Sequence, residues 1–285
     1  MRALIFAAGF FIVLILSEIN AMNADFLITL FLPIFAGLTY FLMAFEVRRT
    51  SKIRALMFGE IGFQKLETAY IMFGLYFITR PLQNFLGPHP MPLIVNCLRQ
   101  FFLMGVIAPS ILVAIFHWVP TPSGAPKSSK FAAYTIGVLM GIIFVLVNTL
   151  AVSDSKLLYS WGMINMYDPV WFAQRSPVVQ LVMIHLICQF VSPVGFLLLA
   201  AAYVKHRRHN YQLGHIYNLI PLKWKYLEAS IILFAASFIA AGVAVVFGSY
   251  YTYVWVIYFV GATLSGIIEL RAIKLPPRDV PSDLK

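Results

Sequence analysis

From residue 26 to residue 268 the sequence repeats one pattern: a run of about twenty apolar residues, then a connection rich in proline, polar or basic side chains. A run of that length is what a helix needs to cross the hydrocarbon core of a bilayer, where every backbone N–H and C=O must be satisfied within the segment. The runs read as 26–45, 55–78, 92–116, 131–151, 177–204, 226–247 and 251–268. With 61% hydrophobic and 11% charged residues, a chain of 285 residues has too few polar side chains to cover a soluble globule. The expected fold class is all-α, a polytopic integral membrane helix bundle with seven core spans.

Residues 1–24 carry one early base, Arg2, then an apolar run over 3–16 and a polar stretch over 17–25. This is the profile of a short first span or of a signal-like helix. Cleavage after Ala21 would place Ile19 three residues before the cut, and cleavage after Ala24 would place Met22 there, where small residues are usual. The segment is therefore expected to be retained. The organisation that follows is a first segment at 1–24, a seven-span domain at 25–275 and a short tail at 276–285.

Orientation follows from the bases in the connections. One set of loops holds Arg48, Arg49, Lys52, Arg54, Lys127, Lys130, Lys205, Arg207, Arg208, Lys223, Lys225, Arg271, Lys274, Arg278 and Lys285, whereas the alternate loops hold only Arg80, Lys156 and Arg175. The positive-inside rule makes the first set cytoplasmic, the C-terminus included, as expected for a bacterial inner membrane protein. The net charge of +10 is then a topological signal and a means of contact with anionic lipid, and it requires no nucleic acid. No metal site is expected at His206, His209, His117 and His215, which lack a carboxylate beside them and an HxxxH spacing. Cys97 and Cys188 fall within spans and give neither a disulfide framework nor a metal signature.

The alternate, outer loops include 79–92, TRPLQNFLGPHPMP, which reads as a stiff turn, and 152–176, whose aromatic residues suit an interfacial belt or a lid over an outward pocket. The polar residues inside spans carry the functional reading, because ionisable groups in the hydrocarbon are costly. Residues 55–80 contain Glu60, Lys65 and Glu67. At about 1.5 Å per residue, Glu60 and Lys65 come out near the inner boundary and Glu67 about 20 Å below the outer surface. Asn96, Arg99 and Gln100 share one helix face, as do His185, Gln189 and Ser192. If these faces converge with that of Glu67, they form a polar ladder of Glu67, Asn96, Arg99, Gln100, His185 and Gln189. Such a ladder is either a lock between helices or a ligand site floored by Glu67 and flanked by Arg99 and His185.

No GxSxG, HExxH, CxxC or phosphate-binding glycine loop is present, and no catalytic residue or cofactor is expected. Three segments, FEVRRTSKIRALMF at Phe45 to Phe58, FHWVPTPSG at Phe116 to Gly124 and YVKHRRH at Tyr203 to His209, resemble the seven-span sensor modules at the N-terminus of some bacterial histidine kinases. The similarity covers about residues 26–275. It implies a ligand-sensing membrane domain that passes helix movement to a cytoplasmic output. Only ELRAIKLPPRDVPSDLK follows Ile268, so the output would be a separate cytoplasmic protein met by the basic loop from Lys205 to Lys225. The expected function is a sensor or receptor for a small or lipid-like ligand taken from the outer side. A proton-coupled transporter, an intramembrane lipid-modifying enzyme and a structural subunit of a membrane complex are the alternatives.

Overall fold

The computed structural model describes residues 24–58, 64–118, 127–151, 155–161, 164–169, 179–212, 220–246 and 252–274. The helices are α1 (Ala24–Phe58), α2 (Gln64–Ile78), α3 (Arg80–Phe85), α4 (Met91–Phe102), α5 (Ala108–Trp118), α6 (Lys127–Ala151), α7 (Val179–Gln189), α8 (Phe196–Gln212), α9 (Ile220–Val246) and α10 (Thr252–Ile273). Single π-helical turns, Leu103–Ile107 and Phe190–Gly195, join α4 to α5 and α7 to α8, making two interrupted rods. Between α6 and α7, β1 (Ser155–Trp161) pairs antiparallel with β2 (Ile164–Pro169). The bundle is thus helical as expected, with a two-stranded hairpin added in the long aromatic loop.

Six helical segments among the described residues are long and apolar enough to cross a membrane: Ile28–Ser51, Met91–Phe116, Ser129–Leu150, Gln180–His206, Trp224–Gly242 and Trp255–Ile273. This is the architecture of a multi-pass membrane protein. It also accounts for the large apolar side chains left exposed, such as Leu98 and Phe102 on α4 and Leu139, Leu146 and Leu150 on α6, because lipid is as good a solvent for them as a protein core. Residues 1–23, where the first segment was expected, lie outside the described residues.

Two boundaries differ from expectation. The run at 55–78 is not one helix. Its first residues continue α1 to Phe58, with the basic turn around Arg48 and Arg49 inside that helix, and α2 starts at Gln64. The proline-rich stretch at 79–92 is not solely a turn, for α3 lies within it. Pro81 stands in the first turn of α3, where the missing N–H would have had no helical partner in any case. The chain reverses just after α3 at Gly87, whose φ of 105° is open to glycine at no steric cost.

The packing is a ring in which α1 lies on α2, α2 on α5, α5 on α8, α8 on α9, α9 on α10 and α10 on α1, with α6 outside against α4, α5 and α7. Aromatic rings fill one side of the ring's interior. Tyr40 lies within 5.6 Å of the ring centroids of Phe73, Phe77 and Phe234, and Phe238, Tyr258 and Phe259 extend the column. One end of the bundle is basic, where Arg208 pairs with Glu228 at 2.7 Å and Arg49 with Glu46 at 2.8 Å. The hairpin caps the other end: Asn84 on α3 donates to the Tyr167 carbonyl at 2.7 Å, and the His89 N–H donates to Ser155 Oγ at 2.7 Å.

Candidate functional site

The two interrupted rods meet at their interruptions. Pro109 cannot donate to the helical ladder, and the turn before it is wound as a π-helix, with Ala108 N–H reaching back to the Leu103 carbonyl. Pro193 lies inside the second π turn, and the residue before it, Ser192, is pushed to φ −144° and ψ 117°, outside the helical region. The freed Ser192 hydroxyl donates to the Met104 carbonyl of the other rod at 2.9 Å. Gly137 of α6 lies against this junction, and a side chain there would run into the Met104 carbonyl and the Pro109 ring.

On the hairpin side of this junction a cavity is lined by Arg99, Asn96 and Gln100 of α4, Tyr76 and Arg80 at the end of α2 and start of α3, and Gln189 at the end of α7. Phe144, Phe238, Trp255, Tyr258 and Phe259 form its aromatic wall. The cavity is small, about 30 Å³, which is room for roughly two waters. It accommodates a small group or a head group in this conformation, and not a whole lipid.

Arg99 is only 8% exposed. Its Nη2 donates to the Tyr76 carbonyl at 2.7 Å, its Nη1 to Gln83 Oε1 at 3.0 Å, and its Nε to the Tyr76 carbonyl and to Thr79 Oγ1, both at 3.3 Å. The guanidinium also lies over the Tyr76 ring at 4.5 Å. The Tyr76 carbonyl belongs to the last turn of α2, where backbone acceptors lack helical partners and a cation is favoured. Every one of these acceptors is neutral. The second arginine of the cavity, Arg80, is also buried, with its guanidinium 5.3 Å from the Trp255 ring centroid. Two cations thus face one small space. Asn96 is 2% exposed and its Nδ2 has no hydrogen-bond partner.

His185 is fully buried behind this wall. Its ring lies 4.7 Å from that of Phe144, its Nδ1 is 3.4 Å from Asn148 Nδ2, and its Nε2 is 3.4 Å from Gln189 Nε2. Five of the six expected residues, Asn96, Arg99, Gln100, His185 and Gln189, therefore gather in or directly behind the cavity. Ser192, placed on the same face from spacing, instead ties the two rods.

Glu67 does not join them. It lies in the first turn of α2 with its carboxylate 4.0 Å from Arg48 Nε, at the basic end. The depth of about 20 Å counted from Arg80 still holds, but α2 has only 15 residues and is about 22 Å long. That depth is the opposite end of the helix and not the middle of a longer one. A carboxylate there meets the positive end of the helix dipole as well as Arg48. Glu60 lies outside the described residues, and Lys65 is exposed.

Sequence reasoning missed Tyr76, Arg80, Asn148 and Trp255. Arg80 counted there as one of the few bases of the outer loops, and its burial beside Trp255 comes from a contact between distant helices. Asn148 carried a signal, as the amide in the apolar run GIIFVLVNTLA. A buried carboxylate, Glu269, stands just past the last apolar run and was given no role. It is 6% exposed and accepts a hydrogen bond from the Tyr70 hydroxyl, beside Ser230, whose carbonyl receives Ser265 Oγ at 2.8 Å. Comparison of the chain with protein-family models, curated proteins and solved structures gives no match.

Proposed function

We propose that this chain is a multi-pass membrane receptor or sensor that takes the polar or anionic head of a small or lipid-like ligand into the Arg99 cavity from the hairpin side. The observation that carries the reading is Arg99 itself, a buried guanidinium held by neutral acceptors only, on the wall of a cavity it shares with Arg80. A charge removed from water without a counterion is costly, and an anionic group entering the cavity would offset that cost. The positive-inside rule puts the basic end in the cytoplasm and the hairpin outside. In this reading α2 with α3 makes the seventh crossing, and the exposed side chains of Lys205 and Lys225 mark the face that meets a cytoplasmic partner. The resemblance to histidine-kinase sensor modules fits the same scheme.

Native mass spectrometry of the purified protein tests it. The expected result is a specific anionic species retained by the wild type and lost from Arg99→Gln. Identical spectra for the two proteins, or no retained species in any detergent, would overturn the reading.

A second reading, proton-coupled transport, is favoured by the two interrupted rods joined at Ser192 and Met104, because transporters bind substrate where helices are broken near the middle of the membrane. Flux of the retained species across proteoliposomes, driven by a pH gradient, would select this reading. Binding without flux selects the receptor.

A further inference from the structure

We infer that Glu269 is a proton-binding site at the basic end of the bundle, holding a proton where α1, α2, α9 and α10 meet and exchanging it with water on that side. The inference does not rest on the Arg99 cavity, which lies on the hairpin side of the rod junction.

Glu269 is carried by α10 and is buried. Its partners among the described residues are hydroxyls: Tyr70 of α2 donates to Oε1, and the Ser230 side chain of α9 is the other contact. Behind them, Ser265 of α10 donates to the Ser230 carbonyl at 2.8 Å, and the Tyr40 hydroxyl of α1 stands beside Ser265. All four of these residues are buried as well. Charged side chains of the same elements are engaged elsewhere or exposed. Glu46 pairs with Arg49 on α1, Glu67 of α2 with Arg48 of α1, and Glu228 of α9 with Arg208 of α8. Lys65, Lys225, Arg271 and Lys274 are exposed. An ionised Glu269 would be an anion among neutral groups, a costly arrangement away from water, whereas the carboxylic acid carries no charge to compensate.

The surrounding hydroxyls suit both forms, which is what an exchanging site requires. Ser230 Oγ donates its one proton to the Leu227 carbonyl at 2.8 Å, and its lone pairs remain able to accept. In the acid form the carboxyl proton is donated to Ser230 Oγ, and the other carboxyl oxygen accepts from Tyr70. When the proton leaves to water, the Ser230 hydroxyl turns from the Leu227 carbonyl to the carboxylate, so the anion keeps two donors without movement of the backbone. The route to water is short. Glu269 precedes the exposed Arg271 by two residues, about 3 Å of helix rise, at the end that the proposed orientation places in the cytoplasm.

Infrared spectroscopy of the full-length protein in lipid nanodiscs, titrated with pH, tests the inference. The wild type is expected to show the carbonyl stretch of a protonated carboxyl at neutral pH, absent from Glu269→Gln and lost reversibly in the wild type as the pH is raised. Tyr70→Phe removes a donor that favours the anion, so the band should persist to higher pH, by about one unit or more. Should Glu269→Gln fail to accumulate, Tyr70→Phe identifies the band, because losing the phenol's hydrogen bond raises the frequency of the carboxyl it served.

A neutral-pH band equal in the wild type and Glu269→Gln, no band in either, or a band unmoved by Tyr70→Phe would overturn the inference. A band that persists until the protein unfolds would make Glu269 a fixed neutral lock between helices and overturn the exchange. Loss of the band on adding sodium at constant pH would assign the site to an alkali cation and overturn the proton.

Discussion

Arg99 and Asn96 stand three residues apart on one face of α4, and their surroundings predict opposite responses to substitution. Arg99 donates to the Tyr76 carbonyl and to Gln83, so Arg99→Met removes several buried, charge-assisted hydrogen bonds and should cost roughly 2–4 kcal/mol of stability. Asn96 leaves its Nδ2 unpartnered, so Asn96→Leu should leave stability unchanged or raise it by about 1 kcal/mol. Glu67→Gln removes a long contact to an exposed arginine and a charge at the N-terminus of α2, and should cost about 1 kcal/mol or less. Thermal unfolding of the three variants in detergent checks all of these. The i, i+3 and i+4 spacing made the α4 polar face legible from sequence, because helical periodicity is a local property. Whether Glu67 faced it was not legible, since that depended on where α2 begins.

At the scale of elements, the junction between the two interrupted rods is held by one side-chain hydrogen bond and one missing side chain. Ser192→Ala leaves the Met104 carbonyl without that donor and should destabilise the protein by about 1–2 kcal/mol. Gly137→Leu drives a side chain into the Met104 carbonyl and Pro109 and should cost at least about 2 kcal/mol. Both are read from unfolding in the same detergent. Pro109 and Pro193 advertised irregular helices, yet a proline says only that the ladder is broken. It does not say that the chain will absorb the break as a π turn, nor that two breaks will meet. The hairpin was hidden for a different reason: the aromatic residues of 155–169 suit an interfacial belt and a strand equally well.

For the whole molecule, the succession of apolar runs made a multi-pass helix bundle legible, because the bilayer allows a chain of such runs little else. The ring order of the helices and the cavity on its hairpin side depend on contacts between distant segments and left no local trace. The topology predicts that a cysteine at the exposed Ser160 of the hairpin reacts with an impermeant reagent added outside, and one at Lys205 only from the cytoplasmic side; the native Cys97 and Cys188 are buried. Reaction of both from the same side would reverse or remove the proposed orientation. The most direct test of the central claim is native mass spectrometry of Asn96→Leu beside the wild type, with thermal unfolding measured on the same samples. A binding cavity predicts a variant at least as stable as the wild type that has lost the retained anionic species. A less stable variant that still carries the species would contradict it and make the polar face of α4 a lock between helices.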